Sequence, residues 1–178
     1  MVRFMKNRCI FYGLFVMLLA AVLTSCINDD NGDAWSLGVG DKCPDFNIIM
    51  NDGREISTEQ LRGRKSMIVF FNTTCGDCLC EFPVLQDLYD IVRKRQDESK
   101  VEIICISRGQ GEDAVRQCWK DYGLSLPYSA QTDKSVYHKF ASAIVPRIYV
   151  ISPDLTITAT FSDDPLPTLS KLLGALAL

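Results

Sequence analysis

The order of elements along the chain predicts an α/β fold in which a mixed central sheet is flanked by helices on both faces. Two runs, 66–72 and 101–107, are too apolar to show the alternation of a half-exposed strand, as is typical of central strands that are covered on both sides. Each run is followed by a segment with apolar residues at helical spacing. A strand pair and a last helix complete the chain, and this order favours a single sheet with helices on both faces.

Turn residues, capping residues and apolar spacing place the individual elements. In chain order the sequence predicts strand 46–50, turn 51–53, strand 54–56, a short helix from Ser57 or Thr58 to near Gly63, strand 66–72, helix 78–95, strand 101–107, helix 112–122, a short strand near 126–128, a helix near 134–140, hairpin strands 147–151 and 155–161, and a last helix from Pro165 or Thr168. Together these elements predict one domain, 37–178, which is long enough for a single hydrophobic core.

Residues 1–25 are predicted to be a signal peptide. Three basic residues precede the apolar run 10–23, which is short for a membrane span. The run ends in the tetrad 23–26, Leu-Thr-Ser-Cys, which resembles the lipobox of bacterial lipoproteins. The resemblance implies that Cys26 becomes the lipidated first residue and anchors the protein to a membrane of the cell envelope. An ordinary signal peptide and an N-terminal anchor helix are the alternatives.

Residues 26–36 are predicted to form a lipidated tether, because they are acidic and rich in turn-forming residues. The chain has a net charge of −3, and removal of the basic signal peptide leaves the remainder more acidic. The sequence contains no basic stripe. Nucleic acid is therefore not expected as a partner.

Cys75 and Cys78 form a Cys-x-x-Cys motif at a strand-to-helix junction. Backbone N–H groups and the helix dipole stabilise a thiolate there, so Cys75 is the expected nucleophile. The two-residue spacing lets Cys78 close a disulfide with it, and we interpret the pair as a reversible redox switch. A static disulfide and half of a zinc site are the alternatives. The sequence has no second Cys-x-x-Cys and only one histidine, His138, so neither a metal nor a cofactor is expected.

Four other cysteines follow the predicted tether. Cys43, Cys105 and Cys118 fall in a loop, a strand and a helix, where the default role of a free cysteine is a small buried hydrophobe. Cys80 lies two residues after Cys78, about 200° around a helix, and is expected to face away from it and be inert.

The segment around the cysteine pair resembles the TlpA/ResA-type thioredoxin-like thiol–disulfide oxidoreductases. Their pattern C-x-x-C-x-x-E-x-P-x-L is matched at Cys75, Cys78, Glu81, Pro83 and Leu85. Segments 39–46 and 144–154 also resemble parts of these proteins, so the similarity covers roughly 38–178.

The resemblance implies a thioredoxin-like fold and the exchange of disulfides with other proteins. It implies thiols and disulfides of exported proteins as substrates, together with an unidentified redox partner. Reduction of these substrates is the expected direction, although the residues between the two cysteines do not fix the redox potential.

The resemblance also assigns roles next to the pair. Glu81 takes the place of a buried acid that manages the proton of Cys78, with a surface glutamate as the alternative. Pro146 resembles a cis-proline that faces the pair, which would let the backbone of Val145 bind a substrate strand. An ordinary trans turn proline is the alternative for Pro146.

The residues beside Cys75 complete the predicted site. Thr74, Gly76 and Asp77 are expected to contact substrate. The family usually has tryptophan at the position of Thr74, so this chain is expected to choose its partners differently. Pro83 is expected to bend its helix, unless the helix begins late and Pro83 lies in the first turn.

Two other functions are compatible with a related fold. A peroxidase of the peroxiredoxin type carries P-x-x-x-T-x-x-C, but Ile68 and Asn72 stand at the proline and threonine positions here. A copper-delivery protein would use two cysteines and a distant histidine, typically with C-x-x-x-C spacing, and His138 is the available histidine.

Overall fold

The computed structural model describes residues 34–95 and 101–178. The predicted signal peptide 1–25, the lipidation site Cys26 and most of the tether 26–36 lie outside these ranges. In chain order the elements are β1 (Asn47–Ile49), β2 (Glu55–Ser57), β3 (Lys65–Phe71), α1 (Gly76–Lys94), β4 (Val101–Ser107), α2 (Glu112–Asp121), β5 (Tyr128–Ser129), β6 (Arg147–Ile151), β7 (Ile157–Phe161) and α3 (Leu169–Leu176). Within the described ranges, no helix has both the length and the hydrophobicity needed to cross a membrane.

Five strands form a mixed sheet in the order β5-β4-β3-β6-β7. Strands β3, β4 and β5 are parallel, whereas β6 is antiparallel to β3 and β7 is antiparallel to β6. Strands β1 and β2 form a separate hairpin, whose turn contains Gly53 at a φ of 83°, a conformation that glycine adopts without steric cost. The predicted α/β class and mixed sheet are confirmed.

Two consecutive residues of β3 show what covers each face of the sheet, because neighbouring strand residues point to opposite faces. Phe71 packs against Phe82 of α1 and Trp119 of α2, with ring centroids 5.6 and 4.8 Å away. Phe70 packs on the opposite face against Tyr137, 5.3 Å away, which is the first residue of a short 3-10 helix. Helical segments therefore cover both faces, with the longer α-helices α1 and α2 on the side of Phe71.

Two predicted helices are single 3-10 turns. Segment 57–63 contains only the turn Glu59–Leu61, and segment 134–140 contains only Tyr137–Lys139. Both predicted segments are shorter than two turns of an α-helix. One turn fixes several backbone dihedrals for a single hydrogen bond, so it does not sustain an α-helix by itself.

Helix α1 begins at Gly76, two residues before the predicted start at Cys78. The sequence pattern missed this turn because glycine and aspartate are weak helix formers. Pro83 consequently lies inside the helix, and the alternative that places it in the first turn is wrong. Proline has no N–H, so the carbonyl of Leu79 lacks its usual partner within the helix.

Candidate active site

Three chain segments meet where β3 ends. In the parallel pair β3–β4, Phe71 lies opposite Ser107, so the loops that follow both strands leave from the same edge of the sheet. In the antiparallel pair β3–β6, Arg147 lies opposite Phe70, so the residues just before β6 arrive at that edge as well. The register of the sheet thereby brings residues 70 positions apart in sequence into contact.

Cys75 is the N-cap residue of α1 and is partly exposed. Its thiol donates a hydrogen bond of 3.2 Å to the carbonyl oxygen of Val145. Its backbone N–H donates a hydrogen bond of 3.1 Å to the carbonyl oxygen of Asn72. The Cys75 sulfur is therefore reachable from solvent and lies against the loop that precedes β6.

Cys78 lies one turn further into α1 and is fully buried. Both Cys75 and Cys78 are free thiols in this structure. Burial raises the pKa of the Cys78 thiol well above its ordinary value, and the neighbouring Cys75 raises it further. A buried neutral thiol reacts slowly until a base removes its proton, so the site needs such a base near Cys78.

Glu81 is 1% exposed, and the alternative of a surface glutamate is therefore wrong. It lies three residues after Cys78 on the same helix, a spacing at which side chains are neighbours. Burial raises the pKa of the Glu81 carboxyl to about 7. Its Oε1 atom has no hydrogen-bond partner among the described residues. A carboxyl that titrates near neutral pH beside a buried thiol is suited to accept that thiol's proton.

The loop before β6 contains a cis peptide bond between Val145 and Pro146, and the alternative of a trans proline is wrong. Ile144 precedes this bond with a φ of 72° and a side chain that is exposed. The hydroxyl of Tyr137 donates a hydrogen bond of 2.8 Å to the carbonyl oxygen of Ile144. The loop whose Val145 carbonyl accepts the hydrogen bond from the Cys75 thiol is therefore fixed by the buried side chain of Tyr137.

The predicted substrate contacts surround Cys75. Thr74, Gly76 and Asp77 are all exposed beside it. Val145 is buried as a side chain, so its carbonyl group, rather than its isopropyl group, faces the thiol. The structure therefore brings all of these predicted residues to one rim, with Cys78 and Glu81 beneath it.

A polar network that the sequence did not predict holds the loop before Cys75. The Oε1 atom of Gln110 accepts a hydrogen bond of 2.6 Å from the backbone N–H of Thr73, and its Nε2 atom donates to the hydroxyl of Thr73 at 2.7 Å. The Oδ1 atom of Asn72 accepts from the N–H and the hydroxyl of Thr74, at 2.9 and 2.7 Å. Gln110 follows β4. Its position in the loop after a strand parallel to β3 was the one sequence feature that could have indicated a contact with the loop before Cys75.

The other cysteines lie apart from this chemistry. Cys43, Cys105 and Cys118 are buried, and burial raises the pKa of each thiol, to about 12 for Cys43 and Cys105. Cys80 is exposed on α1 while Cys78 is buried, so the two face different surroundings, as the helical spacing predicts. Within residues 34–95 and 101–178, no three histidine, cysteine or acidic side chains are placed to hold a metal ion.

Known proteins are similar to this chain over most of its length. The thiol-disulfide oxidoreductase ResA of Bacillus subtilis is 26% identical over 151 residues, which cover 84% of this chain and 82% of the relative. ResA of Oceanobacillus iheyensis is 29% identical over 154 residues, which cover 84% and 78%. A candidate protein disulfide isomerase from Bacteroides thetaiotaomicron superposes with a TM-score of 0.68 at 26% identity, and the match covers 80% of this chain and 91% of that one.

The fold, the pair of thiols and these similarities define a thiol–disulfide oxidoreductase of thioredoxin-like fold. The chain belongs to the AhpC/TSA family, whose model matches residues 39–160. The resemblance to ResA-type enzymes that rested on the cysteine motif is confirmed, and so is the prediction that the protein is an enzyme.

Proposed function

We propose that the protein is a membrane-anchored reductase of disulfides in exported proteins, with Cys75 as nucleophile and Cys78 as resolving thiol. The observation that carries the proposal is the contrast between the two sulfurs. Cys75 is partly exposed at a helix N-terminus and beside the Val145 carbonyl, whereas Cys78 is sealed beneath it. A visiting polypeptide reaches the first sulfur and not the second.

The proposed exchange has two steps. The Cys75 thiolate attacks one sulfur of the substrate disulfide, a mixed disulfide forms, and the other substrate sulfur leaves and takes up a proton. Glu81 accepts the proton of Cys78, and the resulting thiolate attacks the sulfur of Cys75. The first substrate sulfur then leaves as a thiolate and takes up a proton from solvent, and the enzyme holds a Cys75–Cys78 disulfide. Two electrons pass from the enzyme to the substrate.

The state of Cys78 supports reduction as the direction. A disulfide is a strong oxidant when a stabilised thiolate lowers the free energy of its reduced form. Burial raises the pKa of Cys78, so this thiol contributes no stabilised thiolate to the reduced state. On the side of Cys78, therefore, no ionised thiol stabilises the reduced form of the pair, and this supports reduction of the substrate as the direction.

Equilibration with glutathione tests this direction. We expect a redox potential for the Cys75/Cys78 pair below about −200 mV, on a scale that runs from about −270 mV for thioredoxin to about −120 mV for the oxidant DsbA. The reduced fraction is measured by alkylation of free thiols and mass spectrometry over a series of glutathione buffers. A Cys80→Ser background keeps the exposed third thiol out of the measurement. A potential near −120 mV would contradict a reductase and indicate an oxidase.

A peroxidase is the second candidate, because the matching family model is that of AhpC/TSA proteins. Such an enzyme would use Cys75 to cleave a hydroperoxide. The residue that stands at the threonine position of the peroxidase motif, Asn72, is engaged with Thr74. Turnover of hydrogen peroxide by a protein that leaves insulin intact would favour the peroxidase over the reductase.

The anchor is tested separately from the chemistry. Cys26 follows the apolar run 10–23 in a lipobox-like tetrad, which supports lipidation of its thiol. We expect wild-type protein in the membrane fraction of the expressing bacterium, and Cys26→Ala to abolish labelling by a radioactive fatty acid. The Cys43→Ala variant, which changes a cysteine outside the tetrad, is expected to keep the label. Unchanged labelling of Cys26→Ala would refute the lipid anchor.

A further inference from the structure

Ile144 has an unusual combination of backbone and exposure. Its φ of 72° lies in the left-handed region, which a β-branched residue adopts only at a steric cost. Its side chain is 42% exposed, so burial in the core does not offset that cost. A residue held in such a conformation at a reactive site is a candidate for a functional role.

A buried support holds Ile144 in place. The hydroxyl of Tyr137 donates a hydrogen bond of 2.8 Å to the Ile144 carbonyl oxygen, and Tyr137 itself is 1% exposed. One contact of the Tyr137 ring is Phe70 of β3, and the guanidinium carbon of Arg108 lies 4.8 Å from the ring centroid. Arg108 follows β4 and donates its backbone N–H to the carbonyl of Phe71 at 2.8 Å. The support of Ile144 is therefore tied to the two strands that position Cys75.

Ile144 is an exposed apolar residue on the loop that faces the reactive sulfur. The next residue, Val145, accepts the hydrogen bond from the Cys75 thiol, so the Cα of Ile144 is one peptide unit from that contact. The other exposed residues beside Cys75, namely Thr74, Gly76 and Asp77, offer a hydroxyl, no side chain and a carboxylate. An approaching polypeptide therefore meets one large apolar side chain on the loop that faces the thiol.

We propose that Ile144 is a specificity-determining residue, which contacts an apolar side chain next to the disulfide of the substrate polypeptide. The inference rests on the proposed exchange at Cys75 and names the class of substrate: a peptide disulfide whose cysteine has an apolar neighbour. During attack by Cys75, the substrate segment lies along the loop at Val145, and its side chain next to the cysteine reaches Ile144. Small disulfides without such a side chain do not benefit from this contact.

The experiment compares three disulfides in single turnovers of the pre-reduced, full-length protein. Two peptides with one intramolecular disulfide each differ only in having leucine or serine after the first cysteine, and oxidised glutathione is the third substrate. We expect wild type to reduce the leucine peptide roughly fivefold to tenfold faster than the serine peptide, the size expected for one partly buried apolar side chain. Ile144→Asn is expected to bring this ratio below about twofold while the rate with glutathione stays unchanged, because asparagine tolerates the left-handed conformation but is polar.

Val39→Asn is the matched control. Val39 is 67% exposed, and its neighbour Gly40 donates its N–H to the carbonyl of Ile157. Ile157 pairs with Ile151, which pairs with Ser66 at the start of β3, whereas Cys75 follows the end of that strand. The control therefore removes an exposed apolar side chain at the opposite end of the sheet and is expected to leave the peptide ratio at the wild-type value.

The outcomes separate this inference from the proposed function. A wild-type ratio near one, an unchanged ratio in Ile144→Asn, or an equal loss in Val39→Asn would each overturn the role of Ile144 while leaving the exchange intact. Failure of wild type to reduce any of the three disulfides would instead overturn the proposed exchange. Should Ile144→Asn not fold, Ile144→Gly replaces it, because glycine also adopts a positive φ. The ratio of the rates with the leucine and serine peptides then tests the role of Ile144 in the same way.

Discussion

Replacing Cys75 with serine is expected to lower the rate of insulin reduction to that of dithiothreitol alone. The Cys75 sulfur is the partly exposed one of the pair, whereas Cys78 is buried beneath it and lies out of reach of a polypeptide. Loss of a catalytic nucleophile lowers rates by factors of about 10³ to 10⁶, and serine does not form the disulfide on which exchange depends. The turbidity of precipitating insulin B chain measures the rate.

Two further variants make the Cys75 experiment specific. Cys78→Ser, reduced beforehand and mixed with insulin in the absence of dithiothreitol, is expected to accumulate a mixed disulfide between Cys75 and an insulin chain, visible by non-reducing electrophoresis, because no second thiol of the pair releases the substrate from the first sulfur. Cys80→Ser is expected to keep wild-type activity, since Cys80 is exposed on α1 and separate from the pair. Equal activity in wild type and Cys75→Ser would remove Cys75 as the nucleophile.

The parts of the site that depend on local sequence could be predicted well. The continuous apolar run became β3, the motif that follows it became the start of α1, and Cys75 took the N-cap position. The spacing of Glu81 three residues after Cys78 placed it on the same side of the helix. Each of these inferences needs only strand or helix periodicity over one or two turns, and periodicity is a property of neighbouring residues.

The supporting contacts could not be predicted in this way, because they join distant segments. Gln110 binds Thr73 across 37 positions of the sequence, and this contact exists only because β3 and β4 are parallel and in register. The hydrogen bond from Tyr137 to Ile144 spans only seven residues, but it joins a single 3-10 turn to a residue at positive φ. Neither feature has a periodic pattern, so tertiary packing rather than spacing determines them.

Replacing Glu81 with glutamine is expected to slow the second step of exchange by about 10²-fold, the usual contribution of a positioned base. The amide of glutamine does not accept the proton of Cys78, and burial leaves that thiol neutral. In wild type the rate of the second step is expected to rise with pH through about 7, where the Glu81 carboxyl ionises, and in the variant this inflection is absent. Acid quenching and mass spectrometry of the mixed disulfide with Cys75 measure the step. An unchanged inflection would assign the proton transfer to another group.

The same substitution is expected to stabilise the fold at alkaline pH, which separates the role of Glu81 from general damage. The folded protein holds the Glu81 proton up to a pKa of about 7, whereas an exposed carboxyl in the unfolded chain loses it near 4.5. Between these values the folded state binds more protons, so wild type loses stability as the pH rises, by about 3 kcal/mol in total. Glu81→Gln has no such loss, so its free energy of unfolding relative to wild type should increase by about that amount between pH 4.5 and 8.

Urea unfolding of both reduced proteins at the two pH values measures this difference, and any effect of packing that is independent of pH cancels. A variant that exchanges disulfides more slowly, yet becomes more stable relative to wild type as the pH rises, has lost a buried titrating base, whereas a variant that is merely misfolded would lose both activity and stability.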